Sequence, residues 1–131
     1  MLHFTYHHHT RNLINSDFHI LILETLMHKW FTHDRDGREI YLTEERWQHI
    51  VERHPELENH LDDILNTVQQ GRRRQQPQDP HAYIYRWPCD TLRLPFNGIL
   101  VSVVFRFEEQ PDSAMISNNF IVTAWGIMMR Q

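Results

Sequence analysis

Residues 99–105 (ILVSVVF) constrain the fold of this chain more than any other segment. They are almost all apolar, and their β-branched side chains predict a strand that is buried on both faces. Two neighbouring segments, residues 81–87 and 119–129, alternate more and predict strands beside it. Both connections hold turn residues and are too short for crossover helices, which favours antiparallel pairing. We therefore expect an antiparallel sheet with residues 99–107 as an interior strand.

The region before these strands predicts two helices. Thr43 is a suitable N-cap, and the two glutamates that follow it place negative charge in the first helical turn. This helix is expected to run to about His54, where Pro55 interrupts it or opens the next helix. Gly71 is the expected end of the second helix. That helix is indicated by an apolar stripe of Leu57, Leu61, Ile64, Leu65 and Val68.

Further upstream, Asp36 and Gly37 form a turn signal. It predicts a hairpin between residues 29–32 and 38–42. Residues 18–31 are apolar with mixed periodicity and fit either a strand or a short helix. Residues 71–80 contain three consecutive arginines and several glutamines, which is typical of a polar loop.

These elements together predict a single α+β domain at residues 29–131, with helices packed on one face of an antiparallel sheet. Residues 1–28 are expected to form an N-terminal extension. The longest apolar run in that extension is too short to span a membrane, and polar residues interrupt any signal-peptide pattern.

Composition limits the class of function. The formal net charge of −4 argues against a protein that coats nucleic acid without specificity, although a local cationic cleft remains compatible with it. Cys89 is the only cysteine, so no internal disulfide can form and a cytoplasmic location is expected. The chain has no cysteine-based zinc pattern and no partner in sequence that would activate the thiol, so we expect neither a metal nor a cofactor.

The segment Trp47-Gln48-His49-Ile50-Val51-Glu52-Arg53-His54-Pro55-Glu56 carries the leading site candidates. On a helix, Arg46, His49 and Arg53 share one face, beside an apolar stripe that includes Ile50. A histidine there can transfer a proton, and an arginine can bind a phosphate through two hydrogen bonds. A solvated helix face is the alternative explanation for the same pattern.

Other candidates lie outside this face of the helix. His54 is either an acid–base group or a structural residue that caps the next helix. Arg72, Arg73 and Arg74 either hold an RNA backbone or belong to a solvated loop. Tyr85 and Arg86 are candidates for substrate binding, although strand tyrosines usually pack in the core. Thr123 either satisfies a buried neighbour or faces a cleft.

The helix segment, the strand residues 40–43 before it and the late segment Asn119-Phe120-Ile121-Val122-Thr123-Ala124 resemble the nuclease-like domains of the barnase–EndoU–colicin–RelE superfamily. The resemblance covers about residues 40–129. It implies a RelE- or barnase-like fold and metal-independent RNA cleavage, with site positions at His49, Arg53, His54 and Thr123. A serine often precedes the apolar pair of the late strand in that superfamily, and this chain has Phe120 there.

We therefore expect an endoribonuclease that uses the 2′-hydroxyl of its RNA substrate as nucleophile. A toxin-like or defence-associated effector, with an antitoxin or immunity protein as partner, fits this expectation. The alternative is a non-catalytic module that binds RNA or a protein. The negative net charge of the chain, and Phe120 at the position where the superfamily often has a serine, favour that alternative.

Overall fold

The computed structural model describes residues 3–4 and 28–130, and the side chains of residues 28–130. Most of the predicted extension, including residues 18–27, therefore lies outside the described residues. The strands are β1 (His3–Phe4), β2 (Lys29–His33), β3 (Glu39–Thr43), β4 (Arg72–Gln76), β5 (Asp79–Pro88), β6 (Gly98–Val104), β7 (Phe107–Glu109), β8 (Met115–Ser117) and β9 (Phe120–Ile127). The helices are α1 (Glu44–Arg53), a 3-10 turn (Pro55–Leu57) and α2 (Leu61–Gln70).

Seven strands form one curled sheet in the order β1-β2-β3-β9-β6-β5-β4. The pairing is antiparallel except between β3 and β9, which run parallel. The predicted class, helices packed on an antiparallel sheet, is therefore wrong: the sheet is mixed and closes into a half-barrel. Strands account for 45% of the structure and helices for 22%, so the sheet dominates the fold.

The parallel pairing of β3 with β9 explains why the predicted fold class is wrong. The amide of Tyr41 donates to the carbonyl of Asn119 at 3.1 Å, and the Asn119 side chain donates to the carbonyl of Glu39 at 3.1 Å. The Tyr41 hydroxyl donates to Oδ1 of Asn118 at 2.7 Å. These bonds join residues nearly 80 positions apart, and local sequence pattern carries no information about such a pairing.

Both predicted helices are present. Thr43 caps α1 by accepting a hydrogen bond from the amide of Arg46 at 3.1 Å. Pro55 opens the 3-10 turn, which shortens the second helix to Leu61–Gln70. Helix α1 contacts β3 and β9, whereas α2 contacts β2, β5 and β6. Their buried residues join the side chains of one sheet face in the core, which includes Ile50, Ile64, Val68, Val101 and Ile121.

Several strand predictions are confirmed and one is wrong. The hairpin of β2 and β3 turns at Gly37, whose φ of 82° suits glycine. Strand β6 lies between β5 and β9, so it is an interior strand as expected. The arginine segment is not a loop, because Arg72–Gln76 forms β4 and pairs with β5. Within residues 28–130, no helix combines the length and apolar character that a membrane span requires.

Candidate nucleic-acid interface

Strand register places the candidate residues on opposite sides of the sheet. Residues directly opposite each other in an antiparallel pair point to the same side. One cross-strand row is Arg72, Arg86, Leu100 and Trp125, and the parallel row beside it is Arg74, Ile84, Ser102 and Thr123. We call these eight residues the open face, because all of them are exposed or half-buried. Four strands at the usual spacing make the face about 14 Å wide.

The row between these two points to the other side. It consists of Arg73, Tyr85, Val101 and Ala124, and the last three are buried. Tyr85 is 1% exposed, and its hydroxyl donates to Oδ2 of Asp34 at 2.7 Å. The guanidinium of Arg73 lies 3.9 Å from the ring centre of Tyr83. Two of the predicted substrate-binding residues therefore point away from the open face, and the hydroxyl of Tyr85 is already used inside the protein.

The hydrogen bond between Tyr85 and Asp34 also attaches the turn of the β2–β3 hairpin, which contains Asp34, to strand β5. Burial raises the pKa of Asp34, but hydrogen bonds from Tyr85 and Arg38 outweigh it, so the pKa lies below its ordinary value. Burial and the bond to Asp34 both raise the pKa of Tyr85. The pair is therefore a neutral phenol donating to a carboxylate, which suits a structural role.

The arginine end of the open face lines a groove of about 550 Å³. Arg72, Arg74 and Arg86 are exposed, and within residues 28–130 none of the three forms an ion pair. The groove is lined by Arg72, Arg73, Arg74, Gln76, Ile84, Arg86, Trp87, Pro88, Leu100 and Met129. Three of these arginines, Arg72, Arg74 and Arg86, belong to the open face, and the lining contains no carboxylate. An acidic protein therefore presents a local cationic surface with apolar walls here.

His54 lies at the opposite end of the open face. Its ring centre is 6.3 Å from that of Trp125. Nδ1 of His54 is 3.8 Å from Oε2 of Glu56, and the same oxygen accepts the amide of Gly126 at 2.9 Å. The Glu56 side chain is only 9% exposed, so Glu56 holds the chain after α1 against β9. This contact lies next to His54, which immediately precedes the 3-10 turn and lies beside Trp125.

The remaining helix candidates lie on α1, which packs against β9. His49 and Arg46 are half-buried and Arg53 is exposed. Among residues 28–130, no hydrogen bond or ion pair involves the side chains of His49 or Arg53, and none connects them to Thr123. The structure thus brings Arg72, Arg74, Arg86 and Thr123 onto one face and places His54 beside it.

Sequence reasoning missed three residues of this region: Trp125, Ser102 and Glu56. Trp125 and Ser102 are the cross-strand neighbours of Leu100 and Thr123. Period-two alternation along β6 and β9 would have predicted them, if the register and the bulge beyond Ser102 had been known. Glu56 shows no local signal, because its partner Gly126 lies 70 residues away.

The open face, together with His54 beside it, offers groups that can contact a nucleic-acid strand. Arginines bind phosphates, and an indole ring can stack on a base. His54 can transfer a proton and Thr123 can donate a hydrogen bond. No family model matches this chain, and neither a curated protein nor a solved structure matches it.

Proposed function

We propose that this protein is an endoribonuclease whose substrate lies across the open face. The observation that carries the proposal is the row of Arg72, Arg86, Leu100 and Trp125, which ends beside His54. The row links unpaired guanidinium groups, an aromatic ring and a proton-transferring group on one continuous surface. A single RNA strand presents phosphates, bases and a 2′-hydroxyl in a similarly short distance.

Binding on this face depends on local charge and stacking. Arg72, Arg74 and Arg86 can each bind a phosphate, and a guanidinium group is more weakly hydrated than an ammonium group, which lowers the cost of desolvation. Trp125 offers a flat apolar surface at the far end of the row, where a base can stack. Single-stranded RNA fits better than a duplex, because the bases of a duplex are not free to stack on a side chain.

Cleavage needs no metal when the nucleophile belongs to the substrate. A base takes the proton from the 2′-hydroxyl, and the 2′-oxygen attacks the adjacent phosphorus to form a 2′,3′-cyclic phosphate. The 5′-oxygen leaves and receives a proton from an acid. His54 supplies one of these proton-transferring groups, and Glu56 lies near enough to orient its ring. We assign the second group and the phosphate contact to His49 and Arg53 on α1. This helix packs on the side of the sheet opposite the two rows, so the RNA strand has to continue past His54 to reach them.

The test is turnover on total cellular RNA in the presence of EDTA. Wild-type protein should cleave RNA and leave 2′,3′-cyclic phosphate ends. His54→Gln and His49→Ala should each lower the rate by roughly a hundredfold, the usual size of an acid–base contribution. His33→Ala is the matched control, because His33 is exposed on β2 outside the open face. Wild-type rates in a folded H49A/H54Q double variant would refute the proposed mechanism.

One observation favours the alternative of a binding module without turnover. The eight residues of the open face include no histidine and no carboxyl group. All proton transfer therefore depends on residues outside the two rows. Binding of single-stranded RNA without any cleavage in the EDTA assay would select this alternative.

The proposed activity has consequences for partners and location. A ribonuclease in the cytoplasm would damage its own cell unless its activity were restrained. We therefore propose a cytoplasmic effector with a cognate antitoxin or immunity protein. Such an inhibitor would be expected to present carboxylates to the exposed arginines of the open face.

A further inference from the structure

A second group of reactive side chains lies away from the open face. It consists of His60, Asp63 and Cys89, each of which offers one donor atom within 4.8 Å of the others. Nδ1 of His60 is 2.8 Å from Oδ2 of Asp63. The side chains of His60 and Asp63 are 17% and 39% exposed, and Cys89 is 9% exposed. The group is therefore mostly covered but open to solvent at Asp63.

The fold positions these residues from two separate elements. His60 immediately precedes α2 and Asp63 lies in its first turn, so the i,i+3 spacing puts both side chains on one side of the helix. Cys89 directly follows β5, and its amide donates to the carbonyl of Asn97 at 2.9 Å. The thiol lies 3.4 Å from the hydroxyl of Thr91. Cys89 is 26 residues beyond Asp63, so sequence spacing alone did not suggest a site.

We propose that His60, Asp63 and Cys89 bind a divalent transition-metal ion, with Zn²⁺ as the best fit. Imidazole nitrogen, carboxylate oxygen and thiolate sulfur are the three donor types that zinc accepts, and small shifts would place all three around one ion. A water molecule would complete a tetrahedral site. The thiolate and the carboxylate together carry a charge of −2, which a divalent ion neutralises. The sulfur donor disfavours Mg²⁺ and Ca²⁺, which prefer oxygen ligands.

The same three residue types could instead form a nucleophilic thiol with a histidine and an aspartate. Burial decides between the two, because a substrate must reach the sulfur whereas an ion needs only a small opening. Cys89 belongs to the buried core cluster, so the metal is favoured. The ion would connect the start of α2 to the end of β5, and none of its ligands belongs to the open face. The site thus stabilises the fold and is independent of the proposed cleavage.

Cobalt provides a specific test, because Cys89 is the only cysteine in the chain. Co²⁺ added to metal-free full-length protein should produce a thiolate-to-metal charge-transfer band with a stoichiometry of one, and Zn²⁺ should abolish the band. Cys89→Ser should eliminate the band, and His60→Ala should weaken Co²⁺ affinity at least tenfold. Asp62→Asn is the matched control, because Asp62 neighbours Asp63 in sequence but is not part of the group.

The sequence also contains His7, His8 and His9, which can bind transition metals without forming a real site. A variant with all three replaced by alanine should keep the charge-transfer band. Co²⁺ binding without the band in wild-type protein, or loss of the band in this variant, would refute the proposal.

A second measurement needs no variant. We compare protein in a micromolar excess of Zn²⁺ with protein kept metal-free by a chelator. Zn²⁺ should raise Tm by more than about 5 °C and slow alkylation of Cys89 by iodoacetamide at least tenfold. Mg²⁺ and Ca²⁺ should do neither. Unchanged Tm together with rapid alkylation in the presence of Zn²⁺ would indicate a reactive thiol and overturn the metal site. Cleavage of RNA in EDTA is a separate measurement, so either proposal can fail alone.

Discussion

The direction of a side chain decides the role of each polar residue in the sheet. Arg73 and Arg74 are neighbours in sequence, yet one contacts the Tyr83 ring and the other lines the open face. Tyr85 and Arg86 likewise point to opposite sides of the sheet, and only Arg86 is exposed. Because side chains alternate along a strand, a candidate substrate residue and a core residue can occupy adjacent positions.

The buried phenol of Tyr85 allows a residue-level prediction. Tyr85→Phe should lower the free energy of unfolding by about 2 kcal/mol, because a buried hydrogen bond to an ionised carboxylate is lost. Tyr41→Phe is the matched control, since its hydroxyl donates to the neutral Asn118 at the same distance of 2.7 Å. Its loss should cost about 1 kcal/mol. Urea denaturation of both variants measures the two values, and equal costs would contradict the assigned role of Asp34.

Acid should reduce the difference between wild type and Tyr85→Phe. The folded pKa of Asp34 lies below its ordinary value of 3.8, so the ionised group stabilises the native state above that pH. The stabilisation is lost as pH falls through the folded pKa. We expect a constant difference above about pH 5 and a decreasing one below pH 4. The cost of Tyr41→Phe should not change over the same range, and denaturation at several pH values would show both trends.

Strand β4 is the element whose structure changes the interpretation of the arginines. In a loop, three consecutive arginines would be equivalent, whereas a strand separates Arg73 from the other two. Pairing with β5 also gives Arg72 a cross-strand neighbour in Arg86, which concentrates positive charge in a defined row. The arginine segment is therefore an ordered part of the proposed RNA site.

The division within β4 predicts different effects for its arginines. Arg72→Ala with Arg74→Ala should weaken binding of single-stranded RNA and reduce the slope of log K against log salt by about 1.4. Arg73→Ala is the control and should leave that slope unchanged. It should lower the free energy of unfolding by about 1 kcal/mol, because the contact between Arg73 and the Tyr83 ring is lost. Fluorescence anisotropy at several salt concentrations provides the measurement. A larger effect of Arg73→Ala on binding would show that the assigned face is wrong.

The end of α2 depends on a close approach of two backbones. A Cβ atom at Gly71 would lie 2.5 Å from the carbonyl oxygen of Thr67 and 2.8 Å from that of Arg86. These are backbone atoms held by the helix and by β5, so they cannot shift without disrupting those elements. Gly71→Ala should therefore lower the free energy of unfolding by about 3 kcal/mol. Gly37→Ala is the comparison, because nothing lies within 4 Å and only its φ of 82° is unfavourable. That cost should be about 1 kcal/mol, and thermal denaturation would measure both.

At the scale of the whole molecule, one parallel contact joins two antiparallel units. In strand pairing, the hairpin of β2 and β3 meets the β4-β5-β6-β9 sheet at one register position, Tyr41 opposite Phe120. The hydrogen bond from Tyr85 to Asp34 is a side-chain link between the hairpin turn and β5. Beyond Phe120, β9 pairs with β6 and contacts α1 and the 3-10 turn. The half-barrel shape therefore depends on a short junction, and hydrogen bonds from Asn119 and Tyr41 strengthen it.

Removal of the Asn119 side chain should loosen this junction selectively. Asn119→Ala leaves the carbonyl of Glu39 without its donor and should cost about 2 kcal/mol. Hydrogen exchange should accelerate in β2 and β3 more than in β5 and β6, because the hairpin would open as a unit. Asn66→Ala on α2 is the control, since the Asn66 side chain forms no hydrogen bond within residues 28–130. Uniform acceleration across the sheet would contradict a local junction.

Local pattern determined those features of this protein that depend on neighbouring residues. The Thr43 cap, the turn at Gly37, both helices and the interior strand β6 could all be predicted, because propensity and periodicity act within a few residues. The histidine and arginine candidates on α1 followed from helical spacing in the same way, and their roles are still predictions. Strand β4 was missed because its polar side chains give no apolar alternation.

Only the tertiary structure decided how these elements combine. The parallel pairing of β3 with β9, the sides to which Arg73 and Arg74 point, and the group of His60, Asp63 and Cys89 all join residues distant in sequence. The same holds for His54, which lies beside Trp125 next to the point where Glu56 binds the amide of Gly126. Such contacts arise from register and burial across the whole chain, and a shift of one residue in a strand would reverse the face on which each side chain lies.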